Sequence, residues 1–283
     1  MTTPAAGLGP AGFSGPYLAP GSSFLDFARA AAPHVLPGYA GAPDAARLTA
    51  IPPTGGAPGG SGPTSQPLQA TTICALTFRG GLVMAGDRRA TQGLSIASSE
   101  MEKVYPADQW SAIGVAGSAG IALQLVRLLQ LELEHYEKIE GTGLSLEGKA
   151  NRLGTLIRAN LGLAFKGLGA LPLLGGWDQA TAEPRIFSYD VTGGHYEEHH
   201  FHAIGSGAVF AKGSLKKLYK PGQTERAAVK TALTALTDAA EDDAGTGGVD
   251  QVKAIFPVVA VVDRAGYRRL ADTHLAALME AKR

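Results

Sequence analysis

The sequence ATTICALTF occupies residues 70–78, and the composition of the chain changes sharply at its start. Residues 1–70 hold 12 of the 17 prolines but only four charged side chains, so this leader cannot build a core of its own. From Thr72 onward the pattern changes to a period of two, which is typical of a β-strand. We therefore expect a leader at residues 1–70 and a folded domain at residues 71–283, long enough to bury a substantial core.

The leader is rich in proline and glycine, and it reads GGAPGGSGP at residues 55–63. This composition predicts a flexible, protease-accessible tether. A secretory signal is not expected, because no basic region leads into a long apolar segment. One segment differs, since Ser22 and Ser23 precede a short apolar-sided run that stops before Pro33. It is interpreted either as a docking helix or as a transient helix in a disordered tail.

A β-hairpin is predicted directly after the leader. Two glycines at 80–81 separate the strand at 72–78 from a second strand-like run at 82–86. Reflection of one strand about this turn brings Asp87 back to the start of the first strand. We therefore expect Asp87 to lie close to Thr71.

Downstream of the hairpin, short strands surround two pairs of helices. The predicted strands are 95–98, 103–105, 111–116, 171–174, 185–189, 196–200, 202–204 and 254–262. The predicted helices are 123–135, 145–167, 208–218, 224–240 and 274–282. The first helix carries a broad apolar stripe expected to pack on the core, formed by Leu123, Leu125, Val126, Leu128, Leu129, Leu131 and Leu133. This order favours an α+β sandwich of four layers, with antiparallel sheets covered by helices, over alternating βαβ units.

A threonine at the start of the domain offers nucleophilic chemistry if the chain is cut before it. Cleavage between Ala70 and Thr71 would place a free α-amine beside the Thr71 hydroxyl. Since an α-amine has a pKa of about 7.7–8.0, it can accept the hydroxyl proton near neutral pH. A lysine, at about 10.4, is mostly protonated there, so Lys103 suits the role of a cation that Asp87 balances. Each residue alone also has a structural interpretation, as a strand start, a solvated lysine or a turn aspartate.

Several separated motifs occur in one order along the chain. They are Thr71-Thr72-Ile73, Gly86-Asp87-Arg88-Arg89, Lys103-Val104-Tyr105, Gly114-Val115-Ala116-Gly117 and Asp243-Ala244-Gly245-Thr246-Gly247-Gly248. Together they make the chain resemble a 20S proteasome β subunit of the actinobacterial kind, over about residues 71–283. The resemblance implies the fold of the N-terminal-nucleophile hydrolases, in which two antiparallel sheets lie between helix layers. It also implies self-cleavage between Ala70 and Thr71 and broad, mainly hydrophobic endopeptidase activity.

The resemblance assigns further roles to individual residues. Gly117 is expected to offer a backbone N–H to the oxyanion, although a simple strand-to-helix turn is the alternative. Ser206 matches a serine beside the terminal amine, and Asp243 and Thr246 match an Asp-x-x-Ser/Thr-Gly element in which threonine here replaces serine. The pocket for the side chain before the scissile bond falls at Ala90, Met101, Val115 and Ala119, and the peptide backbone is expected to be held by Thr91, Gly117 and Ala119. Since all four pocket positions are apolar, large hydrophobic side chains should be preferred and charged ones disfavoured.

Composition restricts the partners. With 25 basic and 25 acidic residues the chain has no electrostatic footprint for nucleic acid or an anionic membrane. No apolar run approaches the about 20 residues that cross a bilayer. The single cysteine, Cys74, is expected in the core and excludes an internal disulfide framework, which favours the cytoplasm. The histidines at 199, 200 and 202 lack a thiolate or carboxylate at familiar spacing, so neither a metal nor another cofactor is expected.

The resemblance further implies β subunits in seven-membered rings, outer rings of α subunits, and a ring ATPase that delivers unfolded or tagged proteins. Two alternatives remain. A catalytically silent ring subunit is disfavoured because Thr71, Asp87 and Lys103 are all present. A simpler bacterial ATP-dependent threonine peptidase also begins with two threonines, but the long leader and the pair Arg88 and Arg89 disfavour it.

Overall fold

The computed structural model describes residues 71–92, 95–250 and 253–280. The predicted leader, its docking segment and the bond before Thr71 lie outside these residues. The strands in the described ranges are β1 (Thr72–Phe78), β2 (Gly81–Gly86), β3 (Ala90–Gln92), β4 (Ser95–Ser98), β5 (Val104–Asp108), β6 (Ser111–Gly117), β7 (Ala170–Asp178), β8 (Glu183–Tyr189), β9 (His195–Glu198), β10 (Phe201–Gly205), β11 (Val258–Asp263) and β12 (Gly266–Arg269). The helices there are α1 (Ala119–Glu140), α2 (Leu146–Ala159), α3 (Leu161–Ala164), α4 (Ala208–Leu218), α5 (Glu225–Asp242) and α6 (Asp272–Glu280).

The strands form two five-stranded antiparallel sheets and one separate hairpin. Sheet I has the order β10-β1-β2-β11-β12, and sheet II has the order β5-β6-β7-β8-β9. The short strands β3 and β4 pair only with each other among the described strands. Strand β1 is therefore a central strand of sheet I, hydrogen-bonded on both sides by β10 and β2.

Three apolar cores separate four layers. On the outer face of sheet I, Cys74 and Leu76 belong to a core that also contains Leu236 of α5 and Leu275 of α6. A second core covers sheet II with side chains of α1 and α2, and a third fills the space between the two sheets. Members of the third core include Ile73, Met84, Leu173 and Ile186. The prediction of an α+β sandwich with helix layers on both outer faces is confirmed.

Local sequence explains where several helices begin and end. The Ser145 hydroxyl accepts a hydrogen bond from the Gly148 backbone N at 3.1 Å and caps α2, and Thr224 caps α5 in the same way. Helix α1 ends at Gly141, whose left-handed φ of 71° stops the helix. The predicted capping role of Ser145 is thus present, although the helix after it is shorter than predicted.

Some predicted boundaries are wrong. The helix predicted over 145–167 breaks at Asn160, whose side-chain amide donates to the backbone oxygen of Leu156. The strand predicted over 196–200 ends at Glu198, and the one predicted over 254–262 begins only after Pro257, which lacks a backbone N–H. Strand β12 was not predicted at all.

The apolar stripe of α1 is narrower than its sequence predicts. Buried members are Leu125, Val126, Leu129 and Leu133. In contrast, Leu123, Leu128 and Leu131 are exposed, with Leu131 at 62% of its maximal accessible surface. The prediction that all seven apolar positions pack on the core is therefore wrong for these three.

No helix in the described ranges combines the length and the apolar character needed to span a membrane.

Candidate active site

The register of the hairpin brings Asp87 to the start of β1. Ile73 pairs with Gly86, so the next position on each strand joins Thr72 to Asp87. The Asp87 backbone N donates to the Thr72 carbonyl at 3.1 Å, and the Thr72 backbone N donates to the Asp87 Oδ1 at 2.9 Å. The carboxylate thus lies beside Thr71, where the position of the turn predicts it.

Asp87 and Lys103 form a buried ion pair. The Lys103 Nζ donates to the Asp87 Oδ1 at 2.7 Å and to the Arg89 carbonyl at 2.5 Å. The other carboxylate oxygen accepts from the backbone N of Arg89 and of Gly247, each at 2.9 Å. Asp87 is inaccessible to solvent and Lys103 is only 4% exposed. With Thr72 as the fourth donor, the carboxylate is fixed in orientation and holds the ammonium in place.

Burial has a direct effect on Lys103. It lowers the pKa of the Lys103 ammonium below its ordinary value, while the charge and hydrogen bond of Asp87 oppose that shift. Lys103 lies just before β5, and it lines a small cavity together with Thr71. A cation held there favours the neutral form of a nearby amine and stabilises a developing alkoxide.

A second polar network lies between the end of β10 and the end of α5. The Ser206 hydroxyl donates to the Asp243 Oδ2 at 2.5 Å, and the Thr246 hydroxyl donates to the same oxygen at 2.6 Å. Although burial works against the charged form, these two hydrogen bonds lower the pKa of Asp243 below its ordinary value. The Ser206 backbone N also donates to the Thr71 carbonyl at 2.8 Å. The structure therefore brings Ser206, Asp243 and Thr246 together beside Thr71.

Thr72 joins this network, which the sequence did not predict. Its hydroxyl is fully buried, lies 2.6 Å from the Thr246 hydroxyl and accepts from the Gly207 backbone N at 3.0 Å. The two strands that meet here approach closely at Gly205, where φ is 101° and an added Cβ would lie 1.8 Å from the Thr71 carbonyl oxygen. The sequence did contain a signal for this role, since Thr72 places a hydroxyl in a strand that is otherwise apolar. A buried polar group must find hydrogen-bond partners.

Gly117 ends β6 in a conformation that other residues avoid. Its φ is 117°, and an added Cβ would lie 2.3 Å from the backbone oxygen of Gly169. The residue lines the small cavity that contains Thr71 and Lys103. Its position is compatible with both roles expected from the sequence, a tight strand-to-helix turn and an N–H beside the nucleophile.

The predicted substrate-pocket residues line one small cavity. This cavity has a volume of about 20 Å³, and its wall contains Thr71 and all four predicted positions, Ala90, Met101, Val115 and Ala119. Its wall also contains Tyr105 and Glu102. The prediction that no carboxylate lines this pocket did not include Glu102. Because the Glu102 carboxylate accepts from Arg269 at 2.5 Å, it is already paired. Thr91 lies in β3, opposite Ile96 of β4.

A family model described as "Proteasome subunit" matches residues 68–255, which is more than half of the chain. The chain belongs to the proteasome subunit family. The matched range starts three residues before Thr71 and includes Asp87, Lys103, Asp243 and Thr246.

Two curated members of the proteasome family resemble this chain over nearly its full length. "Proteasome subunit beta" of Acidothermus cellulolyticus is 51% identical, and the alignment covers 99% of this chain and 94% of that protein. "Proteasome subunit beta" of Jonesia denitrificans is also 51% identical, with 95% of this chain and 83% of that protein covered. Both alignments therefore include most of the leader, and the resemblance inferred from the motifs is confirmed.

Two other candidates from the sequence, the histidine cluster at 199–202 and Cys74, lie away from the polar networks of this proteasome-family chain. His199 and His200 lie in the bend after β9, whereas His202 lies in β10. His202 contacts Glu198 and Lys212, and the described residues contain no cluster of three metal-ligating side chains. Cys74 is fully buried in the outer core of sheet I, as expected.

Proposed function

We propose that this chain is the catalytic β subunit of a 20S proteasome, a threonine endopeptidase whose nucleophile is Thr71. One observation carries the proposal: a buried Asp87–Lys103 ion pair is held beside a threonine at the start of a central strand. Both charges are buried, and burying an ion pair costs free energy unless its geometry is excellent and further hydrogen bonds satisfy both groups. The names of both relatives, "Proteasome subunit beta", support the same assignment.

In the proposed reaction, the Thr71 Oγ attacks the carbonyl carbon of the substrate while its proton passes to the free α-amine of the same residue. The Gly117 N–H donates to the oxyanion, and Lys103 stabilises the developing negative charge. The protonated amine then gives its proton to the leaving nitrogen, the peptide C–N bond breaks and an ester to Thr71 remains. Water, deprotonated by the same amine, hydrolyses the ester and restores the enzyme.

The same hydroxyl is proposed to remove the leader, residues 1–70. Attack on the carbonyl of Ala70 transfers the acyl group from the Thr71 nitrogen to its oxygen, and water hydrolyses the resulting ester. The products are a leader that ends in the Ala70 carboxylate and a peptidase domain, residues 71–283, that begins with a free amine. This step creates the general base that the hydrolytic reaction needs.

Assembly with other subunits is part of the proposal. β subunits in seven-membered rings, outer rings of α subunits and a ring ATPase that delivers unfolded or tagged proteins would enclose the nucleophile in a cytoplasmic chamber. The exposed side chains of Leu131 and Ile139 on α1 support a partner on that helix, since large apolar groups are commonly buried in permanent assemblies. Native mass spectrometry of the chain co-expressed with its α subunit measures the stoichiometry, and seven β copies per ring are expected.

Replacement of the nucleophile tests the chemistry. Thr71→Ala should abolish both leader removal and peptide hydrolysis, while the assembled particle still forms. The matched control is Thr77→Ala at the other end of β1, where the hydroxyl contacts Tyr219 rather than the site, and this variant should be processed and active. Intact mass and N-terminal sequencing report processing, and a fluorogenic peptide reports hydrolysis. A mature N-terminus other than Thr71, or normal hydrolysis by Thr71→Ala, would overturn the proposal.

A further inference from the structure

A cavity lined by two arginines lies directly beside the segment that holds Asp87. Its volume is about 60 Å³. Its polar lining comes from Arg88, Arg89, Ser99, Asp250 and the backbone of two glycines, and residues 255–257 add apolar side chains. We call this space the arginine cavity. The proposed reaction does not involve it, because the nucleophile lines a different cavity.

The Arg88 guanidinium is largely buried and poorly paired. Its side chain is 16% exposed, and its Nε is buried without a hydrogen-bond partner among the described residues. One of its terminal nitrogens lies 3.7 Å from a carboxylate oxygen of Asp272, and the other lies 3.5 Å from the carbonyl oxygen of Glu100. Both distances exceed that of an ordinary N–H···O hydrogen bond. Since buried donors are normally satisfied, we expect the arginine cavity to hold a partner for Arg88.

Arg89 adds a second positive charge to the wall. Its Nη1 donates to the Ala244 carbonyl at 2.9 Å, which is a neutral acceptor. Among the described residues of the wall, Asp250 alone carries a carboxylate. That carboxylate already accepts from the Lys253 backbone N at 3.0 Å, and its other oxygen lies 4.0 Å from the Lys253 ammonium. The charge balance of the wall therefore favours an anion.

We propose that the arginine cavity is a binding site for a small oxyanion, a phosphate or carboxylate group held by Arg88 and Arg89. Arginine presents N–H donors in a fork that matches the oxygens of both groups. A water molecule needs about 10–15 Å³, so a cavity of about 60 Å³ admits one such group and excludes a nucleotide or a peptide. The group comes either from free phosphate or from a carboxylate side chain of a neighbouring copy of this chain.

The site is connected to Asp87 through the backbone. Arg89 donates from its backbone N to the Asp87 Oδ2, and its carbonyl accepts from the Lys103 Nζ. The backbone N of Gly247, which also lines the arginine cavity, donates to the same carboxylate oxygen. An added Cβ at Gly247 would lie 2.8 Å from the Arg89 Cβ, so these two parts of the wall are in close contact. A bound anion should therefore stabilise the folded domain by fixing the turn at 88–89.

The test measures thermal unfolding of the full-length chain, expressed alone, in sodium phosphate and in sodium chloride of equal ionic strength. For wild type we expect a saturable rise in Tm of about 3–6 °C at ten times the apparent Kd of phosphate. Arg88→Met removes the charge and the donors and should lose this rise. Arg226→Met is the matched control, because Arg226 is exposed on α5 and does not line the cavity. Phosphate also stabilises proteins by exclusion from their surface, so only the saturable difference between the two variants counts.

A second variant supplies the anion from the chain itself. Ser99 is partly exposed and lines the arginine cavity, so Ser99→Glu places a carboxylate beside the two arginines. This variant should have a higher Tm than wild type in chloride and should no longer respond to phosphate. Ser95→Glu is its control, since Ser95 is exposed on β4 and does not line the cavity, and it should show neither effect.

The assembled particle, which the proposed function predicts, distinguishes the two sources of the anion. If the phosphate response persists in the particle, the ligand is a free anion. If the response disappears and Arg88→Met impairs assembly, the ligand is a carboxylate of a neighbouring copy. A response that disappears without an assembly defect in Arg88→Met would overturn the inference.

Two results with the chain expressed alone would also overturn it. One is an equal phosphate response in wild type and Arg88→Met, and the other is a Ser99→Glu variant that responds to phosphate as wild type does. Neither measurement uses peptide hydrolysis, so such a failure would leave the proposed function standing.

Discussion

Asp87→Asn tests the buried ion pair with almost no change of shape. The native carboxylate accepts from Thr72 N and Lys103 Nζ on one oxygen and from Arg89 N and Gly247 N on the other. An asparagine amide has only one acceptor oxygen, so in either orientation its NH₂ group faces two donors. Each buried donor left unpaired costs about 1–3 kcal/mol. In both orientations Lys103 also loses its counter-charge, and breaking a buried ion pair costs about 3–5 kcal/mol.

The loss should appear in catalysis as well as in stability. Without the Asp87 charge, the largest interaction that opposes desolvation is gone, so the pKa of Lys103 falls further and its cationic form is disfavoured. If about 3 kcal/mol of this loss reaches the transition state, the rate falls about a hundredfold, since 1.36 kcal/mol corresponds to a factor of ten. Lys103→Ala should abolish turnover by removing the cation itself.

The assay compares single-turnover rates of peptide cleavage on chains that already begin at Thr71, so that failed processing does not affect the result. The chain offers a matched control, because Asp108 pairs with Lys149 at 2.5 Å and Lys149 is as buried as Lys103. This pair lies outside the small cavity, so Asp108→Asn should lower stability but leave the single-turnover rate within about twofold of wild type. Equal rates for Asp87→Asn and Asp108→Asn would refute the catalytic role of the Asp87 charge.

Three further predictions concern single side chains. Thr72→Val leaves the Gly207 N–H and the Thr246 hydroxyl without their shared partner and should lower the free energy of unfolding by about 1–3 kcal/mol. Thr72→Ser keeps the hydroxyl and should be more stable than Thr72→Val. If denaturant unfolding shows that the Val variant is the more stable of the two, the network is contradicted. Gly117→Ala should largely remove peptide hydrolysis, because Gly117 has a φ of 117° and the added Cβ would lie 2.3 Å from the backbone oxygen of Gly169. Steady-state activity equal to that of wild type would show that the N–H at this position is not constrained. Burial raises the pKa of the Cys74 thiol to about 12. Iodoacetamide at pH 8 should therefore modify Cys74 in the unfolded chain but not in the native protein. Rapid modification of the native protein would contradict the burial of this thiol.

Most of the fold could be predicted because its signals are local. The glycines at 80–81 identify the hairpin, and α4 begins and ends at the predicted residues. Boundaries were wrong where the deciding contact comes from elsewhere or where the side chains are small. Helix α1 starts at Ala119 rather than Leu123, since Ala119 and Gly120 carry no apolar periodicity. Strand β12 is only four residues long, and its pairing with β11 is what makes it a strand.

The residues of the candidate site also fall into two groups, those that local sequence predicts and those that depend on distant contacts. The position of Asp87 follows from a turn a few residues away, so hairpin geometry alone predicted it. Asp243 lies far along the chain at the end of α5, and only the family motif pointed to it. The partners of the Thr72 hydroxyl were not predicted, because Thr246 and Gly207 reach it only through tertiary contacts.

The distribution of the site along the chain has a consequence for the order of events. Thr71 is held by the β10–α4 turn through Ser206, and Asp87 is held by the segment after α5 through Gly247. The proposed general base and oxyanion donor are therefore arranged only after sheet I, sheet II and the α5–β11 connection have all formed. A nascent or partly folded chain has the threonine but lacks the environment that activates it. The proposed self-cleavage must therefore follow folding of the domain. We expect the leader to stay attached until the subunit has folded.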